Sequence, residues 1–279
     1  MIRQARLEDV KSLQRLAVLL NSTNLPDEPA GIEEILRQSC DSFGGKIQNP
    51  FERLYVFVLE DNQTKQVIGS SQIIAQHGTP DLPHIFFQIE NLTCHSETLQ
   101  QTFDQKILTL GFNSEGVTEV GGLVLDPAYR HVPQKLGRAL SLVRFWFIQH
   151  NKKLFRETLL AELLPPFDSA GQSPLWNAIG RHFMTLSYHE ADHLSRKQKE
   201  FIETLFPSYP IYVSLLPQDA QAVIGQVGEG SRPAAHLLSK LGFRFENRVD
   251  PFDGGPHFEM QTANLGSIEL DSEVRVEIT

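Results

Sequence analysis

Residues 118–125, Thr-Glu-Val-Gly-Gly-Leu-Val-Leu, are a run of strand formers broken by two consecutive glycines, and with the 25 residues after it this run limits the fold more than any other part of the chain. Asp126-Pro127 stops the run, a loop occupies 128–136, and a helix is predicted from about 137 to 150. Leu140, Leu142, Val143, Phe145, Trp146, Phe147 and Ile148 make that helix apolar almost all round, so it must be buried against other elements. A strand, a loop and a buried helix in this order demand a sheet with a helix on its face. The helix opens on Gln134-Lys135-Leu136-Gly137-Arg138-Ala139. The first amides of a helix point outward without intrahelical partners, and glycine lets a ligand come close to the backbone, so the element is built like an anion site. Arg130, Lys135 and Arg138 add positive charge there. Taken alone, the same residues fit a solvated basic helix start equally well.

The remaining pattern predicts an α+β fold. A strand at 1–5 leads to a helix with Val10, Leu13, Leu16, Ala17 and Leu20 on one face. A polar, proline-containing break covers 21–29, and a second helix lies around 32–42. Residues 54–60, 66–75 and 84–90 read as strands, and their short connections predict an antiparallel meander. A strand is expected at 159–163, then a loop through 165–174 and helices at 175–183 and 195–205, making a mostly helical insertion of about 165–206. Further on come a strand at 211–215, helices at 218–224 and 233–241, the latter ended by Gly242, and a strand at 243–249. The tail alternates weakly through Ile268, Leu270, Val274, Val276 and Ile278, as a β-ribbon would. The expected organisation is a main domain at 1–249 and a short β-rich extension at 250–279.

Charge narrows the function classes. With 25 Lys and Arg against 34 Asp and Glu, the net charge is −9, which argues against a general nucleic-acid binder. Two cysteines, Cys40 and Cys94, are too few for a disulfide framework or a cysteine-rich metal site. No apolar run reaches the ~18 residues of a membrane span, and the N-terminus lacks a signal-peptide core. The expectation is a cytoplasmic protein without nucleic-acid or membrane partners.

Gln134, Gly137 and Ala139 after a central strand, with Ala235, Leu238, Leu241, Gly242 and Phe243 about a hundred residues later, resemble the paired signatures of the GNAT superfamily of acyl-CoA-dependent N-acyltransferases. The segments 55–61 (YVFVLED), 123–127 (LVLDP), 171–176 (GQSPLW), 210–212 (PIY), 222–227 (AVIGQV) and 252–256 (FDGGP) narrow this resemblance to the arginine N-succinyltransferase family. The resemblance implies a GNAT-like mixed sheet flanked by helices. It also implies transfer of a succinyl group from succinyl-CoA to the α-amine of arginine or ornithine, with no metal, in a homodimer or a pairing with a homologous subunit. By the same resemblance, Leu123, Val124 and Leu125 lie along the acyl-CoA arm, and Arg130, Gln134, Lys135, Leu136, Gly137, Arg138 and Ala139 cradle its phosphates.

Three departures stand against that pattern. Gly228 occupies the position where the family carries its proton-donor histidine, and glycine has no side chain to donate or accept with. Glu162 is followed by Leu163, Leu164 and Pro165 where the family has an arginine two residues on, and an arginine is suited to gripping a carboxylate. The β-rich region after 250 is shorter than in the family. The catalytic candidates are Glu119 on the central strand, acting as base directly or through water, and Glu229 beside the missing histidine. His182, His189 and His193 cluster in the helical insertion, with His189 and His193 four apart around Glu190 and Asp192. Two readings beside the succinyltransferase stay open: the same fold with acetyl-CoA or another acyl donor or a different amine, and a catalytically weak CoA-binding or partner subunit.

Overall fold

The computed structural model describes residues 1–20, 25–26, 28–130, 132–270 and 274–278. In chain order the elements are β1 (Ile2–Gln4), α1 (Val10–Leu20), α2 (Pro29–Phe43), β2 (Leu54–Glu60), β3 (Val67–His77), β4 (His84–Ser96), β5 (Gln101–Asn113), β6 (Val117–Leu125), α3 (Leu136–His150), β7 (Thr158–Glu162), α4 (Pro174–Ala178), α5 (Gly180–Phe183), α6 (Tyr188–Ser195), α7 (Glu200–Leu205), β8 (Ile211–Tyr212), α8 (Gln218–Val223), α9 (Arg232–Leu241), β9 (Arg244–Val249), β10 (Pro256–Gln261) and β11 (Val276–Glu277). They fall into two compact units interleaved along the chain. The first is Met1–His77, Val117–Ala161 and Met260–Thr279, and the second is Gly78–Gly116 and Glu162–Glu259. Neither unit is bounded at residue 249, and the predicted helical insertion lies wholly within the second. The polar break at 21–29 and the tail are in part outside the described residues.

In the first unit the strands run in the order β11-β1-β2-β3-β6-β7. β1, β2, β3 and β6 are joined antiparallel, and β7 lies parallel to β6. Leu13, Leu16, Ile32 and Leu36 of α1 and α2 pack with Val56 and Val58 of β2 and Val124 of β6 in one buried cluster. Phe43, Tyr55, Phe57 and Phe147 meet ring to ring, mostly edge to face, at centroid distances of 4.8–5.6 Å, which fixes α2 and α3 against β2. Helix α3 is seated on β3 by two contacts: Ser71 Oγ donates to the Leu140 carbonyl at 2.9 Å, and a Cβ at Gly69 would come within 2.9 Å of Leu140 Cδ2. Ala139–Phe145, Phe147 and Ile148 are buried, as an all-round apolar helix requires.

In the second unit the order is β10-β9-β4-β5-β8. The core of this unit gathers Phe87, Leu108, Leu175, Trp176, Tyr188, Phe206 and Phe252. Four sequence expectations are corrected here. The meander breaks after β3, which pairs with β6, while β4 forms a 13-residue ladder with β5 and also pairs with β9. The helix expected at 195–205 begins only at Glu200, as α7, and an earlier helix, α6, ends at Ser195. A capping box of Ser187 with Glu190 starts α6 well ahead of residue 195. The tail is not a self-paired ribbon: β10 pairs with β9 and β11 runs parallel to β1. The helix expected at 175–183 is also broken, at Ile179 with φ −122° and ψ −69°, and Gly180 after it sits against the Trp176 ring, where an added Cβ would lie 2.4 Å away.

The Phe-Asp-Gly-Gly-Pro turn carries a buried acid. Asp253 accepts from the Gly255 amide at 2.7 Å and from the Tyr188 hydroxyl at 3.1 Å. Burial, with Asp250 beside it, pushes the Asp253 carboxyl well above the usual carboxylate value of 3.8. Above that value the unfolded chain releases a proton that the folded chain keeps, so stability from this group falls as pH rises. Asp253→Asn keeps an acceptor for Gly255 and removes the titration. Denaturant unfolding between about pH 4 and 7 should therefore show a flatter decline in the variant than in the parent chain.

Candidate active site

Strand β6 is held unequally along its two edges. Its pairing with β3 runs from Val117 to Leu125, whereas its pairing with β7 covers Thr118 and Glu119 alone among the described residues. From Val120 onward β6 therefore has β3 as its one partner strand among the described residues, and the Gly121 carbonyl is met by Arg144 Nη1 at 3.1 Å. A bulge sharpens this geometry. Ser70 pairs with Val124 but Gln72 pairs with Gly121, so Gly122 and Leu123 together face Ser71. Gly122 has φ +58°, and a Cβ there would lie 2.8 Å from Gln72 Cγ, so both the backbone conformation and the space require glycine. Gly122 is thus the means by which the central strand leaves a regular ladder.

Glu119 is the last β6 residue paired with β7. Its carboxylate is met by His77 Nδ1 at 2.5 Å. The carboxylate is 2% exposed and the imidazole 23%, so the histidine forms the accessible end of the dyad. Sequence reasoning reaches Glu119 but not His77. The reason is a second register shift, between Ile74 and His77. Ile74 faces Glu119, and in a regular ladder Gln76 would face Val117; the extra residue puts His77 opposite Val117 instead and on the same side as Glu119. Only a pairing register could have revealed this. An imidazole held at Nδ1 by a buried carboxylate is fixed in its orientation and tautomer, the arrangement of a general base.

Past Leu125, Asp126 pairs with Arg15 and accepts from the Ala128 amide at 3.0 Å, which fixes the turn. Arg130 Nε donates to the Leu125 carbonyl at 3.1 Å. Lys135, just before α3, is held in the left-handed conformation at φ 49°, ψ 45°, a strained state for a residue with a side chain. The amides of Arg138 and Ala139 turn back onto the Lys135 carbonyl. The amides of Leu136 and Gly137 have no carbonyl four residues back within the helix. A Cβ at Gly137 would touch only Leu125 Cδ2, at 3.6 Å. Arg130, Gln134, Lys135 and Arg138 are exposed, whereas Ala139 is buried with its amide bonded to the Lys135 carbonyl, so Ala139 shapes the start of the helix rather than donating to a ligand. Glu119, Leu123, Val124, Leu125 and the loop to Ala139 all belong to the first unit. Val124 faces the core, while Leu123 and Leu125 are half-buried.

Glu229 lies in the second unit, exposed at the start of a short 3-10 helix. Its neighbour Gly228 is buried against the 164–165 backbone. The Gly228 amide donates to the Leu164 carbonyl at 2.9 Å, and a Cβ on Gly228 would stand 2.6 Å from the Pro165 carbonyl oxygen. The missing histidine and the missing arginine are therefore neighbours, and the backbone packing that replaces them leaves no room for a side chain at 228. Gly228→Ala should lower stability by about 1–3 kcal/mol, measured by denaturant unfolding, and Gly228→His at least as much. The His189–His193 pair on α6 does not form a metal-binding group: among the described residues the grouping of three potential ligands is His84, Glu162 and His257.

The family described as arginine N-succinyltransferase beta subunit matches residues 1–267 of this chain. An arginine N-succinyltransferase of Yersinia pseudotuberculosis is 34% identical over 99% of this chain and 79% of its own length. One from Citrobacter koseri is 35% identical over 96% of this chain and 77% of its own length. The solved structure of arginine/ornithine succinyltransferase subunit AI from Pseudomonas aeruginosa superposes with a TM-score of 0.81 at 30% identity, covering 95% of this chain and 77% of that one. Fold, length of match and sequence agree, and the chain belongs to the arginine N-succinyltransferase family, with the acyl-CoA-dependent N-acyltransferase chemistry of that fold.

Proposed function

We propose that this chain transfers the succinyl group of succinyl-CoA to the α-amine of L-arginine, with His77 as the general base. The observation that carries the reading is the His77–Glu119 dyad, set where β6 parts from β7. Support for the substrates comes from the relatives, named as arginine N-succinyltransferases.

In this reading the acyl-CoA lies along the open edge of β6. Its phosphates sit at the start of α3, among the first-turn amides and Arg130, Lys135 and Arg138, where helix dipole and fixed charge favour an anion. The backbone amides around the Gly122–Leu123 bulge face the thioester oxygen. Glu119 holds the imidazole by Nδ1, so His77 Nε2 takes a proton from the arginine ammonium. The freed amine attacks the thioester carbon, and the oxygen takes up negative charge against the β6 amides. The C–S bond then breaks, the amide forms, and the coenzyme leaves as a thiolate that picks up a proton; the second proton of the original ammonium goes to solvent. A thiolate is a weak enough base to leave without a dedicated acid, which is consistent with glycine at position 228. Glu229, exposed and beside the closed backbone at 164–165, is the weaker candidate.

Thiol release from succinyl-CoA should depend on L-arginine, with the succinylated product confirmed by mass, and should exceed release from acetyl-CoA. Absence of release with every acceptor, despite coenzyme binding, would overturn the reading in favour of a non-catalytic subunit. His77→Asn should lower kcat by about 10²–10⁴ with little change in the KM for succinyl-CoA.

A further inference from the structure

We propose that His84, Glu162 and His257 form a binding site for one divalent transition-metal ion of the Zn²⁺ class, within the second unit. His84 Nε2 lies 3.1 Å and His257 Nε2 3.6 Å from the same oxygen, Glu162 Oε1. One ligand atom from each residue fits within 4.8 Å of the others. Ligands about 2.0–2.1 Å from a tetrahedral ion stand roughly 3.4 Å apart, close to the spacing of both histidines against the carboxylate. The two rings are stacked, with centroids 5.1 Å apart and planes inclined by 29°, and each turns its Nε2 toward Glu162 Oε1.

Burial favours an ion as well. The side chains of His84 and His257 are 3% and 0% exposed, while that of Glu162 is 28% exposed. Two imidazoles are thus gathered inside the protein around a carboxylate that reaches the surface and marks a route in. Two nitrogen donors and one oxygen donor, with a fourth position for water, are the donor set of borderline divalent ions such as Zn²⁺ and Co²⁺.

The three ligands sit on backbone that is fixed independently of them. Leu163, next to Glu162, donates its amide to the Pro256 carbonyl beside His257, at 3.2 Å. The Gly254-Gly255 turn presses on the same place: a Cβ at Gly255 would stand 2.4 Å from the Leu163 carbonyl oxygen. On the other side, Gly78 closes over the His84 backbone, where an added Cβ would lie 3.1 Å from His84 N, and Lys199 Nζ donates to the Pro83 carbonyl at 2.8 Å. Ends of three strands, β4, β7 and β10, therefore present a preorganised trio. Neither the family resemblance nor the succinyltransferase reading uses it.

The full-length chain, stripped with a chelator and dialysed, should take up one equivalent of Zn²⁺ or Co²⁺, with visible d–d absorption from bound Co²⁺. Its Tm should rise by roughly 5–10 °C when Zn²⁺ is at a hundredfold excess over Kd. His84→Asn and His257→Gln should each lose the ion and the Tm rise. Glu162→Gln, altered at the accessible edge, should do the same while keeping the circular dichroism of the stripped parent, so that loss of metal is separable from loss of fold. No stoichiometric uptake by the parent chain, or uptake undiminished in the Glu162 and histidine variants, would overturn the proposal.

Discussion

A strand paired along one edge from Val117 to Leu125 and along the other, among the described residues, at Thr118 and Glu119 alone is the constraint on which the rest of the first unit depends. A sheet normally saturates the backbone of its inner strands, and a strand left open on one side must meet water, a covering element or a ligand. β6 tolerates this because its other edge is locked to β3 and because α3 is seated on β3 through Leu140. The bulge at Gly122 bends the strand just past Glu119, and the chain then turns at Asp126 into the loop that starts α3. Backbone amides, a buried carboxylate and a helix start are thereby delivered by one continuous stretch of chain, and the adjoining strand adds His77.

Much of this is legible in the sequence, and for identifiable reasons. α3 is predictable because a helix apolar on all sides has no other place than the interior, and β2 because Leu54–Glu60 is a run of strand formers closed by a turn pair. Glu119 is legible because its strand is. His77 is not, since its position opposite Val117 comes from a one-residue register shift that no local pattern encodes. Pairing of non-neighbouring strands is equally hidden: β3 with β6, β4 with β9 and β1 with β11 join residues far apart in the chain. The capping box at Ser187 is written in the sequence but is outweighed there by apolar spacing farther on.

The departures from the family pattern gain meaning from their places. In the sequence Gly228 and Leu164 read as two separate losses, one of a proton donor and one of a carboxylate-gripping arginine. In the fold they are one packing arrangement, with the glycine amide bonded to the Leu164 carbonyl and no space for a side chain beside Pro165. Chemistry that the family resemblance assigns to a histidine there has to be met elsewhere or left to the thiolate itself. In the proposed reading the buried Glu119 with the partly exposed His77 would serve the other proton transfer, removal of the ammonium proton rather than protonation of the leaving group.

If that dyad acts as a unit, its members cannot contribute independently. The decisive measurement is a double-mutant cycle on kcat for arginine-dependent thiol release, using His77→Asn, Glu119→Gln and the double variant. Each single change should lower kcat, and the double variant should fall little below His77→Asn alone. Losses that simply add, or a His77→Asn enzyme as fast as the parent chain, would contradict the account and return the base to another residue.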